Sequence, residues 1–247
     1  GMSAQLKEHR ETEKEESYWI DNAFGGMPTY QLGAKYPYDI LTPIHKIFRL
    51  IPHPAFLLFL YFFSFYFLMI NLKIPIELSV LGALAYGFST YLLIIIQVGH
   101  NTKAQALGYM PLVISGMLLI FNGKYRVGFI ISLLSMALNI RANHYQMTYY
   151  MLLLILVFIL IEFFYFFYKR EKTKLFLKKN VLFALACFLA LGLNATSLLA
   201  TSEYTKFSTR GQSEISMTTT GEKIQVSSGL DYDYITQFSS GVFETLN

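Results

Sequence analysis

The 247-residue chain is 54% apolar and only 15% charged, and its mean hydropathy is positive, a greasier balance than that of an ordinary soluble domain. Its formal charge of +4 is local: Lys169, Arg170, Lys172, Lys174, Lys178 and Lys179 are offset only by Glu171, and the rest of the chain sums to −1. Such clustering follows the positive-inside pattern of membrane loops and argues against a nucleic-acid surface, while a single cysteine, Cys187, excludes an internal disulfide or a thiolate metal cluster.

Residues 1–18 are polar, charge-dense and helix-prone, without the basic start, short apolar run and cleavage site of a secretory signal. Phe24 to Pro28 (FGGMP) carries two glycines and a proline and predicts a turn or irregular loop. Between Tyr38 and His53, Ile40, Leu41, Ile44, Ile47, Phe48 and Ile51 recur at helical spacing with His45, Lys46 and Arg49 between them, the pattern of an interfacial helix. Hydrophobic runs then cover 54–71, 74–97, 104–121, 126–140, 146–168 and 180–200, and a bilayer span needs roughly 20 residues, about 17 at the least. The fourth run is short and ends in the polar stretch Asn139 to His144, which predicts a tilted helix or one lining a wet cavity, because polar groups at membrane depth need cover. From Thr201 about a third of the residues are Ser or Thr, and β-prone pieces such as Lys223 to Val226 predict small strands or a loop domain. The expected fold class is an all-α polytopic integral membrane protein with about six transmembrane helices: an extracytoplasmic loop at 1–53, a helical domain at 54–200 and a second extracytoplasmic segment at 201–247.

Short loops rich in Lys and Arg resist translocation, which places 169–179 in the cytoplasm. Alternation then puts Asn71 to Lys73 and Asn122 to Arg126 inside. Residues 1–53, Gly99 to Lys103, Arg141 to Gln146 and the tail from Thr201, with Glu203, fall outside. Six spans with both ends outside lack a first insertion signal, and Glu244 to Asn247 end without structural punctuation. The chain is therefore expected to be a piece of a longer protein, with a further helix before Gly1.

The unusual polar residues all fall on the predicted outer side. His100, Asn101 and Lys103 (GHNTK) offer ammonium and imidazole donors to an anionic head group, and the same spacing fits a solvated turn with a snorkelling lysine. Arg141, Asn143 and His144, followed by Gln146, Tyr149 and Tyr150, put a guanidinium at the end of an apolar helix beside amide and imidazole groups. That set can clamp a phosphate while the tyrosines stack or hydrogen-bond, or it can form an interfacial helix end with satisfied polar groups. Asp21, between Tyr18-Trp19-Ile20 and FGGMP, fits a general base or a turn cap. Asp231 and Asp233 are a weak metal pattern better read as surface, and the sequon at Asn194 to Thr196 lies within a predicted span. No Walker loop, strand-coupled GxGxxG, HExxH or cysteine cluster is present.

Four segments together, YWIDNAFGGMPTYQ from Tyr18, GHNTKAQALGYMP from Gly99, NIRANHYQMTYYM from Asn139 and LDYDYITQ from Leu230, resemble the amino-terminal portion of YfhO-type bacterial membrane proteins, in particular their Bacteroidetes branch, over almost the whole chain. The resemblance implies a GT-C-like glycosyltransferase in the bacterial cytoplasmic membrane, moving a sugar from a polyprenyl-phosphate carrier to an envelope glycan or lipid acceptor on the outer face. Such enzymes carry their catalytic acid in the first outer loop, just after the first helix. The main acid is thus implied to precede Gly1, leaving Asp21 as a secondary catalytic candidate, and Arg141, His144 and His100 as binders of the carrier phosphate with Asn101, Lys103, Asn143, Gln146 and Tyr149 around them. The implied chemistry is inverting attack of an acceptor hydroxyl on the anomeric carbon, a carboxylate taking the proton and cations stabilising the departing phosphate. No cofactor or protein-held metal is assigned, and dependence on a divalent metal is left open. A transporter or flippase of a lipid-linked sugar, and an envelope scaffold, are the competing classes.

The orientation is checked by single-cysteine labelling. In a Cys187→Ala background, Lys174→Cys is expected to react with a membrane-impermeant maleimide only after permeabilisation. Labelling in intact cells overturns it.

Overall fold

The computed structural model describes residues 2–22, 25–30, 34–36, 39–48, 50–169, 172–206, 232 and 236. It divides into two compact units, residues 36–195 and residues 1–35 with 196–247.

In the smaller unit the charge-dense start folds as α1 (Met2–Thr12), followed by a two-residue hairpin of β1 (Trp19–Ile20) and β2 (Met27–Pro28), in which Trp19 lies opposite Pro28 and Ile20 opposite Met27. The FGGMP glycines form the turn. Gly26 has φ +115°, and a Cβ there would lie 2.6 Å from the Trp19 ring, so only glycine fits beneath the indole. Leu6 and Ile20 are buried, and Arg10 pairs with Glu16, whose carboxylate also accepts the Lys35 N–H at 2.9 Å. The density of charge is thus partly local pairing.

The larger unit is a helical bundle in which several helices start after a proline or a polar residue and several stop beside a residue in the left-handed region. After α2 (Leu41–Phe48), α3 (Ala55–Asn71) starts behind Pro54; it ends where Lys73 takes φ +62° and the Ile74 N–H reaches back to the Met69 carbonyl at 3.1 Å. Pro75 opens α4 (Ile76–Gly87), and α5 (Thr90–Gln97) continues it after a 44° bend at Phe88–Ser89. Gly99, at φ +76°, ends α5 in the same way before α6 (Asn101–Phe121) begins; α7 (Tyr125–Arg141) stops at Asn143 with φ +59°. α8 (Tyr145–Lys169) and α9 (Thr173–Leu193) complete this unit, while α10 (Ala195–Thr205) falls, from Thr196 on, in the smaller one.

Helix α6 is the buried axis. Its apolar window is 72% buried, against 11% for α8 and 17% for α9. It packs most extensively on α7, and the contact is backbone to backbone: a Cβ on Gly116 would lie 2.6 Å from the Ser132 nitrogen, and one on Gly128 would lie 2.6 Å from the Ile120 nitrogen. Pro111 sits inside α6, so the Leu107 carbonyl loses its helical N–H donor. The Tyr86 hydroxyl of α4 replaces that donor at 2.9 Å. Asn139 on α7, wholly buried, donates to the Ala106 carbonyl of α6 and accepts from the Thr148 hydroxyl of α8, each at 2.8 Å, tying three helices together.

Among the described residues, α6, α8 and α9 are long and apolar enough to cross a membrane, and the bent α4–α5 pair makes a fourth if counted as one span; α3, with 17 residues, is apolar but shorter. The chain is a mostly helical protein with membrane-spanning candidates, as expected. Two predicted boundaries move. The sixth run, 180–200, is instead α9 from Thr173 to Leu193, because Asn194 stops the helix by donating to the Ala190 and Ala137 carbonyls at 2.9 and 3.1 Å. The basic residues Lys174, Lys178 and Lys179 consequently lie on α9 rather than in a loop, with the Lys178 ammonium 4.1 Å above the Tyr125 ring. Residues 201–205 belong to α10, and the predicted strand pieces at Lys223 to Val226, with Asp231 and Asp233, lie outside the described residues.

Gly128→Ala is expected to drive its methyl group into the backbone of α6 and destabilise the bundle by about 1–3 kcal/mol. Gly192→Ala, with open space around its Cβ, is expected to be neutral or slightly stabilising. Thermal unfolding of the two variants in detergent checks the contrast.

Candidate functional site

At one end of the bundle the start of α6, the end of α7 and the start of α8 meet around a small cluster of Ala106, Ala142 and Met147. The close α6–α7 contact brings these ends together, and the residues that cap them are mostly polar. Opposite, the starts of α7 and α9 converge with the end of α6, where Lys178 lies over Tyr125 and Lys179 over Phe121. The bundle thus has one cationic end and one end of mixed polar chemistry.

Arg141, the last residue of α7, is half-buried and ion-paired with Asp39; its other terminal nitrogen donates to the Thr42 hydroxyl at 3.0 Å. Asp39 is built into the start of α2. One carboxylate oxygen accepts the Leu41 N–H at 3.0 Å and the other the Thr42 hydroxyl at 2.9 Å, an Asx turn that caps the helix before the guanidinium arrives. Burial alone pushes the Asp39 pKa up, but hydrogen bonds from Arg141 and Thr42, the guanidinium charge and the Leu41 N–H together bring it below the ordinary carboxylate value.

His144 lies in the turn between α7 and α8. Its Nδ1 is buried and makes no hydrogen bond among the described residues. Burial first, then the nearby charges of Lys103 and His100, hold its pKa below the ordinary imidazole value against a hydrogen bond to its own backbone that raises it, which favours the neutral ring. His144 therefore enters this end as a neutral hydrogen-bonding group and not as the cation implied for a phosphate clamp. Asn101 accepts a hydrogen bond from His53 Nε2 at 2.8 Å, since its Oδ1 can only accept. Lys103 lies 5.1 Å from the centre of the Tyr91 ring on α5. His100 is exposed just before α6 begins. Gln146 donates to the Tyr150 hydroxyl at 2.9 Å, and Tyr149, beside Tyr150, is exposed. Asn143 provides the left-handed turn that aims the segment between α7 and α8.

The structure therefore gathers His100, Asn101, Lys103, Arg141, Asn143, His144, Gln146 and Tyr149 at one end of one unit. Asp21 is placed elsewhere: it belongs to the smaller unit, where its carboxylate accepts the Trp19 indole N–H at 2.8 Å and lines a cavity of about 190 Å³ with Gln5, His9 and Ser17. Four participants were not singled out from sequence: Asp39, Thr42, His53 and Tyr109. The Asp39-x-x-Thr42 spacing just ahead of an amphipathic run is a recognisable cap signal, whereas its pairing with Arg141 is not legible from local sequence. The Tyr109 hydroxyl is buried without a partner among the described residues, and it lies within electrostatic reach of Arg141. No group of three or more metal-ligating side chains occurs among the described residues. Protein-family models give no match to the chain, and no curated protein or solved structure matches it significantly.

The sign of the Asp39 contribution is fixed by its lowered folded-state pKa. The stabilisation is full above the unfolded carboxylate value of about 4 and is lost as pH falls through the lower folded value. Thermal unfolding of the wild type from pH 6 to 3 is expected to show this loss, and Asp39→Asn to lack that component. The Asp39→Asn and Arg141→Gln double-mutant cycle is expected to return a coupling of about 1 kcal/mol.

Proposed function

We propose that the chain is part of a membrane glycosyltransferase of GT-C-like architecture, crossing the membrane with six helices and moving a sugar from a polyprenyl-phosphate carrier to an acceptor at the outer face. The observation that carries the reading is the segregation of the bundle's two ends. The end bearing Lys178 and Lys179 has the character of a cytoplasmic rim. The other end holds a guanidinium, an ammonium and three imidazoles around the starts and ends of apolar helices, the donor set a diphosphate or phosphodiester leaving group needs beside lipid. Counting α3, α7 and the bent α4–α5 pair with the three longest helices makes six crossings, the two 17-residue helices being at the short limit. Two of the segments that carry the resemblance to YfhO-type proteins, those from Gly99 and from Asn139, supply the residues of the polar end.

In this reading Arg141 and Lys103 stabilise the departing phosphate, neutral His144 hydrogen-bonds to it, and the exposed Tyr149 offers a stacking face to the sugar. The bend between α4 and α5 favours a second reading, a flippase for the same lipid-linked sugar, since broken helices often form substrate sites in transporters. Full-length protein reconstituted with a polyprenyl-phosphate-linked sugar and envelope acceptor decides between them. Transferase activity is expected, with Arg141→Gln lowering the rate at least about 100-fold. Carrier movement across the bilayer without product selects the flippase.

A further inference from the structure

Arg141 is already neutralised. Asp39 and Thr42 hold one N–H from each of its terminal nitrogens, while a guanidinium has five such donors. Within its electrostatic reach the buried Tyr109 hydroxyl has no partner among the described residues. Lys103 and His100 are close enough to His144 to act on it electrostatically. Asp39 therefore fills only part of the donor capacity at Arg141, because the guanidinium has further N–H groups and the Tyr109 hydroxyl within its electrostatic reach has no partner among the described residues. Its own attachments, the Leu41 N–H and the Thr42 hydroxyl, belong to α2 and keep Asp39 in place after Arg141 leaves it.

We propose that Asp39 is an internal stand-in for substrate anion, and that a phosphate monoester or diphosphate head group binds this end by displacing Asp39 from Arg141. The proposal rests on the reading of this end as an anion site and deepens it, but it requires no bond-making. A phosphate dianion offers more charge and more acceptor oxygens than a carboxylate. It can engage Arg141 and also accept from the Tyr109 hydroxyl, to which Asp39 makes no hydrogen bond. The apparent affinity for such a ligand is lowered by the fraction of time Arg141 spends with Asp39.

The test is binding of inorganic phosphate and, separately, of farnesyl monophosphate to the full-length protein in nanodiscs by calorimetry, with neither sugar nor acceptor present. Asp39→Asn removes the competing charge and keeps an acceptor for the Leu41 N–H. It is expected to tighten binding of at least one probe about 10-fold, and Arg141→Gln to weaken it by a similar factor. Tightening for farnesyl monophosphate alone assigns the site to a lipid head group; tightening for both assigns it to phosphate as such. If Asp39→Asn does not fold, judged by thermal unfolding, Asp39→Ser carries the same readout. Unchanged or weaker binding in the folded Asp39 variant overturns the proposal, because a merely structural ion pair would lose affinity from either side. Failure of the transferase reading would leave this affinity shift intact, so the two are separable.

Discussion

The contact between α6 and α7 at Gly116, Ser132 and Gly128 sets the geometry on which the rest of the bundle depends. Apolar side chains gain little from leaving lipid for protein, so helices associate where small residues let backbones approach closely. Here the approach is close enough that a single methyl group would meet backbone nitrogen. With α7 fixed against it, α6 becomes the axis on which α3 also packs, and it is correspondingly buried. A buried axis leaves no water for stray backbone groups, and that explains why the proline in α6 is answered by a tyrosine. The carbonyl freed by Pro111 would be costly in an apolar interior, and the Tyr86 hydroxyl supplies the missing donor. The same bond fixes α4 relative to α6.

Once α6 and α7 run side by side, the start of one and the end of the other lie in one layer. The buried Asn139 then joins that layer to α8 through Thr148, and Asn194 joins the end of α9 to α7 through the Ala137 carbonyl. Buried amides at these depths are tolerated because each donates to helix carbonyls, and the Asn139 oxygen also accepts from Thr148. The polar end is therefore held by a network anchored in the helices beneath it. Arg141 and His144 sit within two residues of Ala142, which is packed in the small cluster with Ala106 and Met147. Little slack is left in where they point.

Much of this was legible in the amino-acid pattern. The apolar runs became helices, and left-handed residues such as Lys73 and Asn143 mark their ends; the polar residues flagged at Gly99 to Lys103 and Arg141 to Gln146 do come together. The failures have physical causes. The run 74–97 is continuous in hydropathy, but Ser89 starts a new helix, so a bend hides inside it. The sixth run was placed too late because the lysines at 178 and 179 looked like loop residues. Lysine stems can lie along apolar helices while their ammonium groups sit over aromatic rings. The role of Asp39 is not legible locally because its partner lies far away in the chain. Local pattern reports its capping of α2, which needs only neighbours, and is silent on Arg141.

That long-range pair changes how the polar end is read. Sequence alone counts Arg141, Lys103, His100 and His144 as a strongly cationic patch. In the folded chain the guanidinium is matched by a carboxylate and the His144 ring is neutral, so the resting charge is much smaller. The reason lies in the surroundings: a guanidinium at the end of an apolar helix is costly to hold without a counter-ion. Asp39 is that counter-ion. The same carboxylate that makes Arg141 tolerable at the end of α7 also lowers the net charge of the polar end.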